Sequence, residues 1–186
     1  MSLRFTFGPS GGLAHQIANG APYDVFLSAD EARVKDLDSV VVYAEGRIAL
    51  WSKTGAIQKL DDLHRVRHIA IANPSHAPYG VAAKQALEKS GLWNRLQSKI
   101  VYGESVRNAL EYAQSGNAEV AITAWSLVVH RGGVLLPATL HSPIRQAGGV
   151  VRSSKNKEAA RAFLRFLLTP ETQRLLQSNG FSGSNR

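Results

Sequence analysis

The sequence contains no cysteine among its 186 residues. Disulfides, thiolate nucleophiles and Cys-based zinc sites are thereby excluded, while the redox compartment stays open, because an oxidising space permits Cys pairing without demanding it. There is also no apolar stretch of about 20 residues that would span a bilayer, and the opening MSLRFTF has neither the basic n-region nor the long apolar h-region of a secretory leader. Enzyme signatures are missing too. Gly8-Pro9-Ser10-Gly11-Gly12 lacks the Lys-Ser/Thr that completes a phosphate loop and the G-x-G-x-x-G spacing of a dinucleotide fold, and no Ser/His/Asp context stands out. His76 has no His, Asp or Glu partner at metal-ligand spacing, so no bare cation site is expected. These absences point away from catalysis and toward binding.

Charge narrows the partner. Twenty-two Lys and Arg against 14 Asp and Glu give a net charge of +8, which favours anions. The basic residues are scattered, without the stripe interleaved with aromatics that a nucleic-acid surface uses, so a small anion is expected and nucleic acid is not. With 44% apolar residues the chain has enough to bury a sizeable core in one domain or two small α/β lobes.

Three strand-to-helix junctions organise what is present. The first runs from an expected strand at Arg4–Phe7 through Gly8–Gly12 into a helix starting near Leu13 and stopped by Asn19-Gly20-Ala21-Pro22. The second runs from His68–Ala72 through the breaker-rich Asn73–Gly80 into a helix over Val81–Leu92. The third leads from Lys99–Tyr102 through Gly103-Glu104 to Ser105, a candidate N-cap, and the helix that follows. Each leaves backbone N–H groups free at a partly positive helix terminus, the local chemistry of an anion site. Further strands are expected at Asp24–Ser28, Val40–Tyr43, Arg47–Ser52, Glu119–Thr123, Gly133–Pro137 and Gly148–Val151, and two closing helices at Lys157–Leu168 and Pro170–Gln177, with Ser182–Arg186 fraying.

Strands followed by helices predict mostly parallel sheets flanked by helices, with ligands beyond the carboxyl ends of the strands. If the chain crosses near 46 and returns near 143, it forms a discontinuous first lobe, 1–46 and 143–186, and a second lobe, 47–142, with a cleft between them. Helix N-termini and hydroxyls lining that cleft would hold an oxyanion through neutral donors.

The strings GPSGGLAHQIANGAPYDVFLSAD, VVYAEGRIALWS, ANPSHAPYGVAAKQALEKSGLW and GESVRNAL closely resemble the periplasmic molybdate-binding proteins of ABC importers, members of the class II periplasmic binding protein family. The resemblance covers nearly the whole chain. It implies a two-lobed α/β fold, no enzymatic activity, no cofactor, and capture of molybdate or tungstate in the interlobe cleft for delivery to ABC permease subunits outside the cytoplasm. By motif position the oxyanion ligands would be the Ser10 hydroxyl and N–H, the backbone N–H of Tyr79 in HAPYG, and that of Val106 in ESVRNAL. Gly11, Ser105, Thr123 and Ser126 are additional candidates, the last two because this chain reads Ala124-Trp125-Ser126 where many members place a Tyr hydroxyl.

Set against the family pattern, the numbering begins after a first strand and helix, so the first lobe is expected to be truncated, and the connection from Asp30 to Val40 is short. Sulfate or another oxyanion is the alternative ligand. A non-binding homologue that dimerises through the exposed sheet edge is the alternative of another class. His76 is expected at the rim of the cleft. Arg107 would bias the local potential, and Asp24 and Asp30 would cap or brace the loops.

Overall fold

The computed structural model describes residues 3–183. In chain order the strands are β1 (Val25–Ser28), β2 (Asp38–Gly46), β3 (Ile48–Trp51), β4 (Ile69–Ala72), β5 (Ile100–Gly103), β6 (Val120–Ala124), β7 (Val134–Leu135) and β8 (Ile144–Val150). The α-helices are α1 (Ser10–Ala18), α2 (Pro78–Lys89), α3 (Trp93–Leu96), α4 (Val106–Ser115), α5 (Trp125–Val128), α6 (Lys157–Leu167) and α7 (Pro170–Ser178). They build a two-lobed α/β molecule around two sheets, one ordered β1-β8-β2 and one ordered β5-β4-β6-β3-β7.

Period-two alternation explains the larger sheet. Ile69 and Ile71 of β4, with Val120 and Ile122 of β6, join Ala82, Ala83, Ala86 and Leu87 of α2 on one face. Ala70 and Ala121 turn to the other face and meet Ala109 and Ala113 of α4. Large residues thus face one helix and alanines the other, and all four β4 residues are buried, as expected of a strand covered on both sides. In the smaller sheet, α6 packs Ala160, Leu164 and Leu167 against Tyr43, Ala44 and Val150. Leu13, Ala14 and Ile17 of α1 pack beside Phe26, Val34 and Ala147.

The expectation of mostly parallel sheets is corrected. Only β4 with β5 and β4 with β6 run parallel; β3 is antiparallel to β6 and β7, and the smaller sheet is antiparallel throughout. Strand–helix alternation, the basis of that expectation, holds only from β4 to β6. The smaller sheet is built instead from the outgoing and returning chain paired directly, with Gly46 opposite Ile144 at the end of the ladder. Neighbouring strands that leave and return must oppose each other.

Three local expectations also change. Arg4–Phe7 is not a strand: residues 3–9 join no sheet, and Phe5 and Phe7 are 62% and 82% exposed. The helix after it begins at Ser10 rather than Leu13, because Pro9 is already extended and its carbonyl accepts from the Leu13 N–H. At the other end Ser182 does not fray; it exchanges two 2.9 Å backbone hydrogen bonds with Glu45. Residues 184–186 of the expected frayed tail lie outside the described residues.

One close approach sets the position of α2. A Cβ on Gly80 would stand 2.8 Å from the carbonyl carbon of Ala72 and 2.9 Å from that of Asn73, contacts with backbone that no rotamer change relieves. Gly80→Ala should therefore lower stability by about 1–3 kcal/mol, the usual penalty of overpacking, read as a lower urea midpoint with an unchanged slope. Asp62 supplies a pH test. Its buried carboxylate accepts from the Gln58 N–H at 3.0 Å and the Lys59 N–H at 3.2 Å, and these bonds, Gln58 foremost, hold the carboxyl below the usual range. Its contribution is present above the unfolded carboxylate pKa and is lost as pH falls through the lower folded value. Asp62→Asn should flatten the acid limb of stability against pH and leave the alkaline limb unchanged.

Candidate functional site

Because β4, β5 and β6 are mutually parallel, they end at one edge of the larger sheet, at Ala72, Gly103 and Ala124. Helices α2 and α4 start beyond that edge, and their first turns differ in how the donors are used. In α2 the N-cap is Ala77, which has no capping side chain, and Pro78 has no N–H, so Tyr79 carries the first N–H of the helix. In α4 the Ser105 hydroxyl caps Asn108 at 3.1 Å, while the N–H groups of Val106 and Arg107 precede the first intrahelical donor, the Ala109 N–H. Thr123, fully buried at the end of β6, donates its hydroxyl to the Val106 carbonyl at 3.1 Å and fixes that peptide.

The first junction reaches this edge from the smaller sheet. Ser10 is the first residue of α1, and its Oγ accepts from the Ala29 N–H at 3.3 Å, which ties the helix start to the end of β1. Gly11 lies against the loop before α2: a Cβ there would be 3.3 Å from both Cβ and O of His76. That loop is joined to the third junction by the Asn73 N–H donating to the Gly103 carbonyl at 2.8 Å, and by His76 Nε2 3.7 Å from Glu104 Oε2. The segments carrying Ser10, Tyr79 and Val106 are therefore in serial contact.

A cavity of about 420 Å³ opens beside this contact, lined among others by Asp30, Arg33, Ser75, His76, Gln85 and Arg145. Its guanidinium groups already face carboxylates, Arg33 with Asp30 at 3.1 Å and Arg145 with Glu31 at 3.0 Å. Ser10, Tyr79 and Val106 do not themselves line this cavity, and the two arginines that do are ion-paired.

The other candidates separate clearly. Gly11 and Ser105 sit at the junctions, Ser105 as a cap, and Thr123 acts behind Val106. Ser126 instead lines a second cavity of about 400 Å³ beside α4 and α5, together with Arg107, Glu111, His130 and Arg131. Asp24 braces Ser154 Oγ at 2.6 Å and Asn156 Nδ2 at 3.2 Å, and Asp30 caps a short turn by accepting from the Ala32 N–H at 3.0 Å. His76 stands at the rim, with its side chain 30% exposed. Among the described residues no group of three or more His, Asp or Glu is placed to hold a metal ion.

Two features escaped the sequence reading. The Ala29 N–H is aimed at Ser10, a role that follows only from the end of β1 meeting α1, and alanine carries no side-chain signal of it. The Tyr79 phenol is buried, and burial pushes its pKa above the usual tyrosine value, with Tyr43 contributing; Tyr43 itself is pushed up to about 12 by burial. A HAPYG string discloses the backbone donor but not where the ring goes.

Known proteins share both sequence and architecture. The model of the bacterial extracellular solute-binding protein family matches residues 2–182. The molybdate-binding protein ModA of Rhodobacter capsulatus is 37% identical over 198 residues, which cover 97% of this chain and 77% of that protein. The solved periplasmic molybdate-binding protein of Azotobacter vinelandii superposes with a TM-score of 0.91 at 32% identity, covering 97% of this chain and 87% of that one. The sulfate-binding protein SubI of Mycobacterium tuberculosis, 18% identical with a TM-score of 0.78 over 97% of this chain and 75% of that one, has the same fold. The chain belongs to the bacterial extracellular solute-binding protein family.

Proposed function

We propose that this protein captures molybdate or tungstate between its lobes, outside the cytoplasm, and presents it to the permease subunits of an ABC importer. The observation that carries this reading is the serial contact of three helix starts whose donors are neutral: the Ser10 hydroxyl and N–H, the Tyr79 N–H and the Val106 N–H. Aligned helix termini disperse a dianion's charge over backbone dipoles without a buried cation. Ser10 Oγ, already accepting from the Ala29 N–H, keeps its O–H to donate. Gly11 lets the start of α1 approach His76, and Ser105 and Thr123 position α4 and the Val106 peptide from behind.

The lobes on this reading are 1–46 with 143–186, and 47–142, joined where Gly46 and Ile144 pair. Binding would order them by closing this joint. A second copy is the other partner we propose. Among the described residues β1 is an edge strand, and Phe5 and Phe7 are exposed, offering apolar cover for a paired edge.

Calorimetric titration with molybdate, tungstate and sulfate tests the ligand. Molybdate and tungstate should bind and sulfate should bind more weakly; clear sulfate binding with no molybdate heat would replace the ligand, and no heat from any oxyanion would leave a non-binding homologue. Ser10→Ala should weaken molybdate by roughly tenfold or more, the scale of one hydrogen bond to a charged group, with a modestly lower melting temperature because the Ala29 N–H loses its acceptor.

A further inference from the structure

The joint between the lobes contains a contact that the oxyanion site alone does not require. Gly46 ends β2 opposite Ile144, and its φ lies outside the left-handed region, so backbone conformation does not demand glycine there. Space does. A Cβ at Gly46 would overlap the Tyr79 Oη, stand 2.9 Å from Tyr79 Cζ and lie 3.0 Å from Gln146 Nε2. The neighbours cannot give way cheaply. Tyr79 is 8% exposed and packs in the larger core with Ile48, Ala82 and Ile144, and Gln146, 6% exposed, is held by its own donation to the Ile144 carbonyl at 3.1 Å.

Tyr79 therefore has one end at each place that matters. Its N–H is the first donor of α2, and its phenol rests on the strand pair that connects the lobes. We infer that Tyr79 is a positioning residue, a strut through which the joint at Gly46 and Ile144 sets the aim of the α2 amides at the bound oxyanion. A tyrosine ring has only two side-chain torsions, and a close-packed interior passes a displacement on rather than absorbing it. A change in the angle of the joint moves the phenol, and the phenol moves the first turn of α2. The inference rests on the oxyanion reading for its ligand, but the mechanical link itself does not.

The test is a cycle of wild type, Gly46→Ala, Tyr79→Leu and the double variant, read in two ways. Hydrogen exchange of the amides of residues 79–82 in the ligand-free protein should speed up severalfold in Gly46→Ala, and much less when the same change is made on Tyr79→Leu. Molybdate affinity should fall about tenfold or more in Gly46→Ala, but less than twofold further when Gly46→Ala is added to Tyr79→Leu. Equal effects in both backgrounds, or no effect in a folded Gly46→Ala protein, overturn the strut. If Gly46→Ala does not fold, recovery of folding on Tyr79→Leu supports the contact and failure to recover overturns it. If wild type binds no oxyanion, the ligand reading fails, and the exchange measurement still decides the strut.

Discussion

The close seating of α2 on the carboxyl end of β4 sets the geometry of the cleft. Gly80 admits the Ala72 and Asn73 backbone where any side chain would intrude, so the first turn of the helix starts directly beyond the strand. Pro78 then leaves Tyr79 as the first donor, His76 comes against Gly11 of α1, and the Tyr79 ring reaches Gly46. Shifting α2 by one turn would undo all three at once. The alanines that face α4 from β4 and β6 serve a similar end on the opposite face, bringing the Val106 peptide close enough to the sheet for Thr123 to hold its carbonyl.

Electrostatics divides between two distances. The net charge of +8 acts at long range, raising the local concentration of anions around the molecule. At the cavity beside the junctions the arginines are paired with acids, Arg33 with Asp30 and Arg145 with Glu31. Neutral donors fixed by helices offer a dianion hydrogen bonds whose directions are set before it arrives, and size then discriminates between tetrahedral anions. This arrangement also avoids burying an uncompensated cation when no anion is bound, which would be expensive.

Much of this was legible in the sequence, for identifiable reasons. The apolar run of β4 and the cap at Ser105 are local signals, and the elements they announce formed at nearly the expected places, whereas α2 starts at Pro78, inside the expected turn Asn73–Gly80, because Pro serves as the first helical residue, and it ends at Lys89 rather than Leu92. Strand direction is not local. Nothing in Val40–Tyr43 or Gly148–Val151 says that they pair with each other, and their antiparallel ladder arises because the outgoing and returning chain lie side by side. Arg4–Phe7 has strand composition, yet a strand exists only where a partner strand pairs with it. At the site, the residue types with hydroxyls were visible, while the Ala29 N–H and the direction of the Tyr79 ring depend on tertiary approach. Ser126 illustrates the converse: a suitable hydroxyl, close in sequence to Thr123, that the turn into α5 carries to a different cavity.

The central claim is that an oxyanion is held between the lobes by neutral donors from the three helix starts. A crystal structure of the tungstate complex, with the metal located by its anomalous scattering, tests it most directly. The account predicts one site, with its oxygens within hydrogen-bond distance of the Ser10 hydroxyl and the Tyr79 and Val106 N–H groups and with no Lys or Arg side chain in contact. Tungstate seated instead on arginines, at the second cavity beside α4 and α5 or elsewhere on the surface, would contradict it.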